Sequence, residues 1–485
     1  MKTAGAAAAV AATEAFPLAA SEQTSENKPN ILIVVCDQMN LDAIGAYKKH
    51  FDHKSWLCHW VDTPNLDELV HSGVSFTESH SPNPVCCAAR SSMFSGRYSL
   101  ETGVVINNTG IDKSVPNMGQ WFEEHSNYDR VYCGKWHAGG PWNNPTVSGP
   151  RKIPGFDTIP NGPDTWGRHM DYGVSSGVEA YVRNHKGDKP FLAVAGFMDP
   201  HDICFWSPNL DNGRTRQTDY FGLGDQLPVL PPNLKYDFKE IWEGSVAFSD
   251  MEWRNYIYDY CRMVERLDRN VGRLLRAVRD RGDDTILLFA SDHGDGVGRH
   301  GRVQKWHPYD ESVKVPFIVY GPKFGIRQNV VDTSSLVSGV DIMPTVCDYA
   351  GIPAPPHCRG LSLRPLLEGR EATWRQSVFI ELQEVGRVIR SNRYKYVMSY
   401  KRSPPKARKQ LNESYLTHDG KPSMFLTGKR LKRVGQAMLF DMLNDPWEMQ
   451  NLIEDTKYQT VIDEHEQMLA DFEATLIPGK EFTRK

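Results

Sequence analysis

Several stretches of the chain are apolar at nearly every position: Ile31–Cys36, Phe191–Phe197 and Thr285–Ala290, with Arg130–Cys133 a shorter case. Runs of this kind lack the polar alternation of a half-exposed strand. They suit strands buried on both faces, as in a parallel sheet covered by helices. Val74–Phe76 and Val315–Tyr320 are further strand candidates. Elsewhere the period changes. Tyr260, Val264, Leu267, Val271, Leu274, Leu275 and Val278 fall on one face of a helix predicted over about 256–279. A short helix is predicted after Thr63, with Thr63 as its cap and Pro64 in its first turn, and another over Val340–Tyr349. Residues 206–242 are polar and rich in Pro and Gly, and are expected to form a loop or insertion. The strand–polar cluster–helix order predicts an α/β fold around a large, mostly parallel sheet.

The pattern shifts again after Leu367. Ser377–Leu382, Val388–Arg390, Tyr394–Met398 and Ala437–Asp441 are short strand candidates, and a helix is expected over about 457–476. We therefore divide the chain into a catalytic α/β domain, 28–372, and a C-terminal α+β subdomain, 373–485, with an antiparallel sheet and a helix. The alanine-rich residues 1–27 resemble what remains of an export signal, or else a disordered tail, and are set aside. On that basis the expected location is periplasmic or secreted.

Composition narrows the classes. The 485 residues carry a net charge of −4, which argues against a nucleic-acid-binding protein, and no stretch is long enough to span a bilayer. Nine cysteines without a CxxC pair fit neither a disulfide scaffold nor a structural zinc site. Cys36, Cys133, Cys261 and Cys347 lie in apolar surroundings and are expected to be small buried hydrophobes.

The candidate chemistry follows the strands. Asp37 and Gln38 end the first run, and Asp292 and His293 end the run at 285–290, a donor set suited to Ca²⁺ first and Mn²⁺ as the alternative. Asp295 and His300 are weaker candidates. Lys135 and His137 follow Cys133, His201 follows the Phe191 run, and Lys305 lies beyond Asp292. Each cluster stands just after a strand, so all could meet at the carboxyl edge of one sheet. Cys86 and Arg90 stand four positions apart at the start of a predicted helix, where backbone N–H groups favour negative charge.

Cys86-Cys87-Ala88-Ala89-Arg90 with the later Ser95-Gly96 resembles the modification motif of type I, formylglycine-dependent sulfatases of the alkaline phosphatase superfamily. Further blocks resemble that family in order: Asn30–Gln38, Gly134-Lys135-Trp136-His137, Asp199-Pro200-His201-Asp202, Ser291–Asp295 with Lys305-x-x-x-Tyr309-Asp310, and Leu439–Glu448 with Asn451-Leu452. The resemblance implies a sulfate-ester hydrolase in which a maturation enzyme oxidises Cys86 to formylglycine, whose hydrate is the nucleophile. It implies that Asp37, Gln38, Asp292 and His293 hold the cation and that Arg90 stabilises the ionised hydrate. Lys135 and Lys305 would grip sulfate, His137 would position or deprotonate the second hydroxyl, and His201 would protonate the leaving group. Cys87 would be a bystander. Two departures stand out: the metal pairs are Asp-Gln and Asp-His, where many relatives have Asp-Asp and Asp-Asn, and Ala88 replaces a commoner Pro. The pairing also resembles phosphonate monoester and phosphodiester hydrolases of the same superfamily. The expected substrate is a sulfated small molecule or glycan. The alternatives are a phosphonate or phosphodiester hydrolase on the same scaffold and a non-catalytic binding protein. The basic stretch 401–433 could contact an anionic polysaccharide.

Overall fold

The computed structural model describes residues 28–107, 109–138, 153–161, 166–206, 223–235, 248–383, 386–399 and 437–477. The export-signal segment, the basic stretch 401–433 and most of the 206–242 insertion lie outside them. In chain order the principal elements are β1 (Asn30–Asp37), α1 (Pro64–Ser72), β2 (Val74–Phe76), β3 (Ser79–His80), α2 (Cys86–Ser95), α3 (Ser99–Thr102) and α4 (Met118–His125). Then come β4 (Asp129–Gly134), β5 (Asp157–Ile159), α5 (Gly167–Asn184), β6 (Phe191–Pro200), α6 (Asp250–Asp280), β7 (Thr285–Ser291), α7 (Asp310–Val313), β8 (Phe317–Tyr320), β9 (Val330–Asp332), β10 (Val337–Ser338), α8 (Ile342–Ala350) and α9 (Arg364–Glu368). The C-terminal part holds β11 (Ser377–Leu382), β12 (Gly386–Ser391), β13 (Tyr394–Ser399), β14 (Ala437–Asp441) and α10 (Gln459–Thr475).

The main sheet has the order β5-β4-β6-β1-β7-β8-β2-β9. Every pairing in it is parallel except the two that β8 makes, with β7 and β2. The expected mixed, mostly parallel sheet is therefore present, and its apolar runs are buried because helices cover both faces. Leu32, Val34 and Cys36 of β1 pack with α1, α5 and α6 on one side. Ile31, Ile33 and Val35 pack with α2, α4 and α8 on the other. Strands β11 to β14 form a separate antiparallel sheet in sequence order, against which α10 packs through Ile462 and Leu469. All nine cysteines are free.

Several local expectations need correction. Helix α6 begins six residues earlier than the apolar period suggested, because Ser249 and Glu252 form a reciprocal capping box in the polar stretch before it. Thr63 precedes α1 but does not cap it, since its hydroxyl bonds Asp67 instead at 2.9 Å. Helices α4 and α5 and strand β5 were not expected; α5 carries many glycines and charges, which blur its period. Among the described residues no helix is long and apolar enough to cross a membrane.

Candidate active site

Parallel register fixes the site. Cys36 of β1 pairs with Ser291 of β7, so the residues that follow, Asp37 and Asp292, end side by side. Gln38 reinforces this by donating its backbone N–H to Asp292 Oδ1 at 3.1 Å. Strand β4 leads into Lys135 and β6 into His201 at the same carboxyl edge, the edge where open parallel sheets bind ligands. Helix α2 points its first turn at that edge. Val85, its cap residue, makes no side-chain bond, and the free N–H of Cys87 is taken by Asn107 Oδ1 at 3.0 Å. Gly96 ends α2 in the left-handed conformation (φ 71°), which a glycine adopts without a Cβ penalty.

Cys86 sits at the meeting point, fully buried. Its Sγ lies 3.1 Å from His293 Nε2, 3.1 Å from Lys305 Nζ and 3.7 Å from Asp37 Oδ1. In an oxidised residue 86, oxygens would occupy the place of this sulfur. His201 is within hydrogen-bonding reach of Cys86, and His137 of both Cys86 and Cys87. Lys135 Nζ is 2.5 Å from Asp37 Oδ2. The structure thus brings Cys86, Asp37, Asp292, His293, Lys135, Lys305, His137 and His201 together.

Two residues are placed differently from expectation. Arg90 is completely buried and reaches past residue 86. It donates Nε to Asp292 Oδ2 at 2.7 Å and Nη1 to the Lys135 carbonyl at 2.7 Å, with Nη2 3.6 Å from Asp37 Oδ2. It clamps the ends of β1, β4 and β7. Gln38 has a positive φ of 74°, and its amide bridges Asp295 (2.6 Å) and Lys305 (2.7 Å). Its carbonyl oxygen, the atom that would bind a cation, accepts from Lys305 and from Cys204 Sγ at 3.2 Å. The weaker candidates serve as supports. Asp295 receives the Tyr256 hydroxyl and the Gln304 N–H, and His300 pairs with Glu311 at 2.8 Å. Cys87 lies next to His137 and so is part of the site's lining.

Asp37, Cys86, Asp292 and His293 offer one ligand atom each, all within 4.8 Å of one another and all buried. Two carboxylates and an imidazole suit a hard or borderline divalent ion. The electrostatics agree. Burial, then the neighbouring Asp37, push Asp292 up to about 6. Burial also opposes ionisation of Asp37, but Lys135, His201, Lys305 and His293 outweigh it and hold that carboxyl well below its ordinary range. Two like charges this close favour positive charge beside them, which Arg90 and Lys135 supply in part. The residues therefore fit a divalent metal.

The Cys86 thiol is opposed by burial and Asp37 but carried well below its ordinary value by Lys305, Lys135 and His293. Whatever anion forms at position 86 is favoured. Burial, with Lys135 and Lys305, drives His201 down to about 4, so it is neutral at pH 7. Burial opposes the charge on His137 too, but contact with Cys87 and Cys86 lifts it to about 9.

Sequence reasoning missed the supports of the His201 strand end. Asp171 of α5 accepts the N–H groups of Met198 and Asp199 at 2.8 Å each, and Arg266 of α6 grips Asp199 at 2.8 and 3.0 Å. Tyr260 of α6 donates to the Gln38 backbone carbonyl at 2.8 Å. Its helical period marked it as core, and nothing in the pattern signals the hydroxyl's role.

Known proteins match this chain over most of its length. The Sulfatase family model matches residues 29–352, and a second model, N-sulphoglucosamine sulphohydrolase, C-terminal, matches residues 298–407. A Delta 4,5-hexuronate-2-O-sulfatase of Bacteroides thetaiotaomicron is 28% identical over 483 residues, covering 92% of this chain and 89% of its own. The solved structure of a 2-O GAG sulfatase superposes with a TM-score of 0.67 at 26% identity, over 92% of each chain. The phosphonate monoester hydrolase of Agrobacterium radiobacter shares the fold, with a TM-score of 0.67 at 20% identity over 92% of this chain and 95% of its own.

Proposed function

The chain belongs to the sulfatase family, and from that premise we propose that it removes sulfate from a sulfated carbohydrate, using Cys86 after its oxidation to formylglycine. The family membership makes it a sulfuric ester hydrolase; the sugar, the maturation and the residue roles are our reading. The observation that carries it is the convergence on Cys86 of Lys305 and His293, each 3.1 Å from the sulfur. The Bacteroides relative's activity on a hexuronate supports the sugar.

The modified residue would supply the nucleophile and the divalent cation a Lewis acid on sulfate oxygen. Asp37, Asp292 and His293 would hold that cation, Ca²⁺ first and Mn²⁺ as the alternative, with Gln38 joining only if Lys305 and Cys204 release its carbonyl. Arg90 keeps Asp37 and Asp292 aligned from behind. Lys135 and Lys305 hold the sulfate with fixed positive charge, already in place before reaction, which is where electrostatic catalysis gains most. His137, within hydrogen-bonding reach of residues 86 and 87, orients the group at residue 86. His201 starts neutral. A sulfate ester brings negative charge against the two lysines that depress it, so His201 gains a proton as substrate arrives and passes it to the departing alcohol oxygen. A formylglycine-generating enzyme is the implied partner, and export is the implied fate.

A second reading, hydrolysis of a phosphonate monoester or phosphodiester, is favoured by one observation: an imidazole, His293, joins the two carboxylates. The test for both is a panel of defined sulfated mono- and disaccharides, followed by free sulfate, beside phenyl phosphonate and phosphodiester substrates. Sulfate release from a saccharide is expected. Rapid phosphonate cleavage with no sulfate release from any sugar would reverse the order.

A further inference from the structure

The short turn His201–Phe205, directly after β6, has one side chain that faces outward. His201 faces Cys86. Asp202 accepts from the backbone N–H groups of Gly167 and Arg168 at the start of α5. Ile203 is buried and Cys204 donates to Gln38. Trp206 follows, anchored on α6 by its indole N–H to Asp259 at 2.7 Å. Phe205 alone turns outward and is 48% exposed. Its ring centroid lies 6.0 Å from that of His201 and 4.7 Å, edge to face, from that of half-buried Trp166.

One exposed apolar side chain needs no explanation. Two aromatic rings meeting beside the imidazole that faces the nucleophile position are a different case, because the backbone beneath them is fixed from both helices. Asp171 and Arg266 hold the end of β6. Gly167 approaches Asp199 so closely that a Cβ there would lie 2.6 Å from the carboxylate oxygen. The start of α5, which carries Trp166, and the His201 turn therefore form one rigid piece. A rigid aromatic surface loses little entropy on binding.

We propose that Phe205 and Trp166 form the aromatic wall of a leaving-group subsite that takes the ring of the sulfated sugar. A pyranose has an apolar C–H face and a polar rim. Laid against the two rings, it buries the face, leaves hydroxyls in water and turns its ester oxygen to His201. This assignment rests on the sulfatase reading above and names where its substrate's sugar binds.

The test uses the full, matured enzyme with Phe205→Ala and Trp166→Ala, and the saccharide of the panel hydrolysed fastest. Removing an aromatic contact of this kind should raise KM roughly three- to tenfold per ring, with kcat little changed. Inhibition by inorganic sulfate, which needs only the sulfate pocket, should be unaltered, and Phe205→Tyr should restore KM. An unchanged KM overturns the proposal, as does a sulfate inhibition constant that rises in parallel, which would mean the pocket itself had collapsed. If the wild type cleaves only phenyl phosphonate, the sulfatase reading fails by itself. The wall is then judged by the same KM comparison on that ester's phenyl ring, where no change rejects it.

Discussion

The cluster around Cys86 and the cluster around Lys395 are both buried, both crowded with carboxylates and cations, and both shift the protonation of their members. Lys395 of β13 places its ammonium 2.5 Å from Asp310, 2.7 Å from Glu448 and 3.2 Å from the Pro308 carbonyl, an acceptor for each of its three protons. Glu448 also takes the backbone N–H of Asp310 at 2.7 Å, and His300 links Glu311 to the Glu448 carbonyl. Those contacts fasten the antiparallel sheet to the loop after β7. Around Cys86 the balance is different: several cations converge on one small side chain at the carboxyl edge of the main sheet, and two half-buried histidines stand over it. Perturbed protonation marks both clusters, so it does not by itself mark function. On our proposal the chemistry belongs where the charge surplus faces Cys86 at the strand ends, while the closed network holds the parts together.

The largest effects are expected at the two central residues. Cys86→Ala should lower turnover by about a thousandfold or more while leaving the unfolding midpoint nearly unchanged, read by kinetics and thermal melting. Lys395→Met should do the reverse. It leaves Asp310 and Glu448 buried without their cation and should cost about 3–5 kcal/mol in chemical denaturation, with kcat per folded molecule retained. Acid sharpens the contrast further. His80 and His307, beside the Lys395 cluster, are driven down to about 3, mainly by burial. Below pH 6.5 the unfolded chain binds protons that these histidines refuse when folded, so their contribution to stability falls as pH drops from 6.5 toward 3. The expected slope is about 1.4 kcal/mol per pH unit for each histidine. Denaturation midpoints across that window should flatten in a His80→Gln variant. The smallest effect is expected at Cys87. Cys87→Ala should leave residue 86 convertible and change turnover by less than about tenfold, because Cys87 lines the site beside His137 without being the reacting group.

Much of this was legible in the sequence. The apolar runs marked the buried strands because helices on both faces demand continuous hydrophobicity, and the candidate residues at strand ends come together because parallel strands share one carboxyl edge. What the pattern could not carry was direction and pairing. Arg90 looked like a partner for residue 86, yet it reaches across three strand ends to Asp292 and the Lys135 carbonyl. Gln38 looked like a ligand, but its carbonyl is already held by Lys305 and Cys204. Asp171, Arg266 and Glu448 act through contacts 27, 67 and 53 or more residues away in the chain, which no local period encodes. Helix α5 was missed because Gly167, Gly173 and Gly177 interrupt it, although at all three an added Cβ would lie within 3.0 Å of another residue's atoms.

Activity should follow the chemical state of residue 86. Protein produced together with a formylglycine-generating enzyme should be analysed by mass spectrometry of the peptide containing Cys86, alongside sulfate release from the preferred saccharide. We predict a residue in which one oxygen replaces the sulfur and two hydrogens, with turnover rising in proportion to its fraction across preparations. Full activity in protein whose Cys86 remains an unmodified thiol would contradict it.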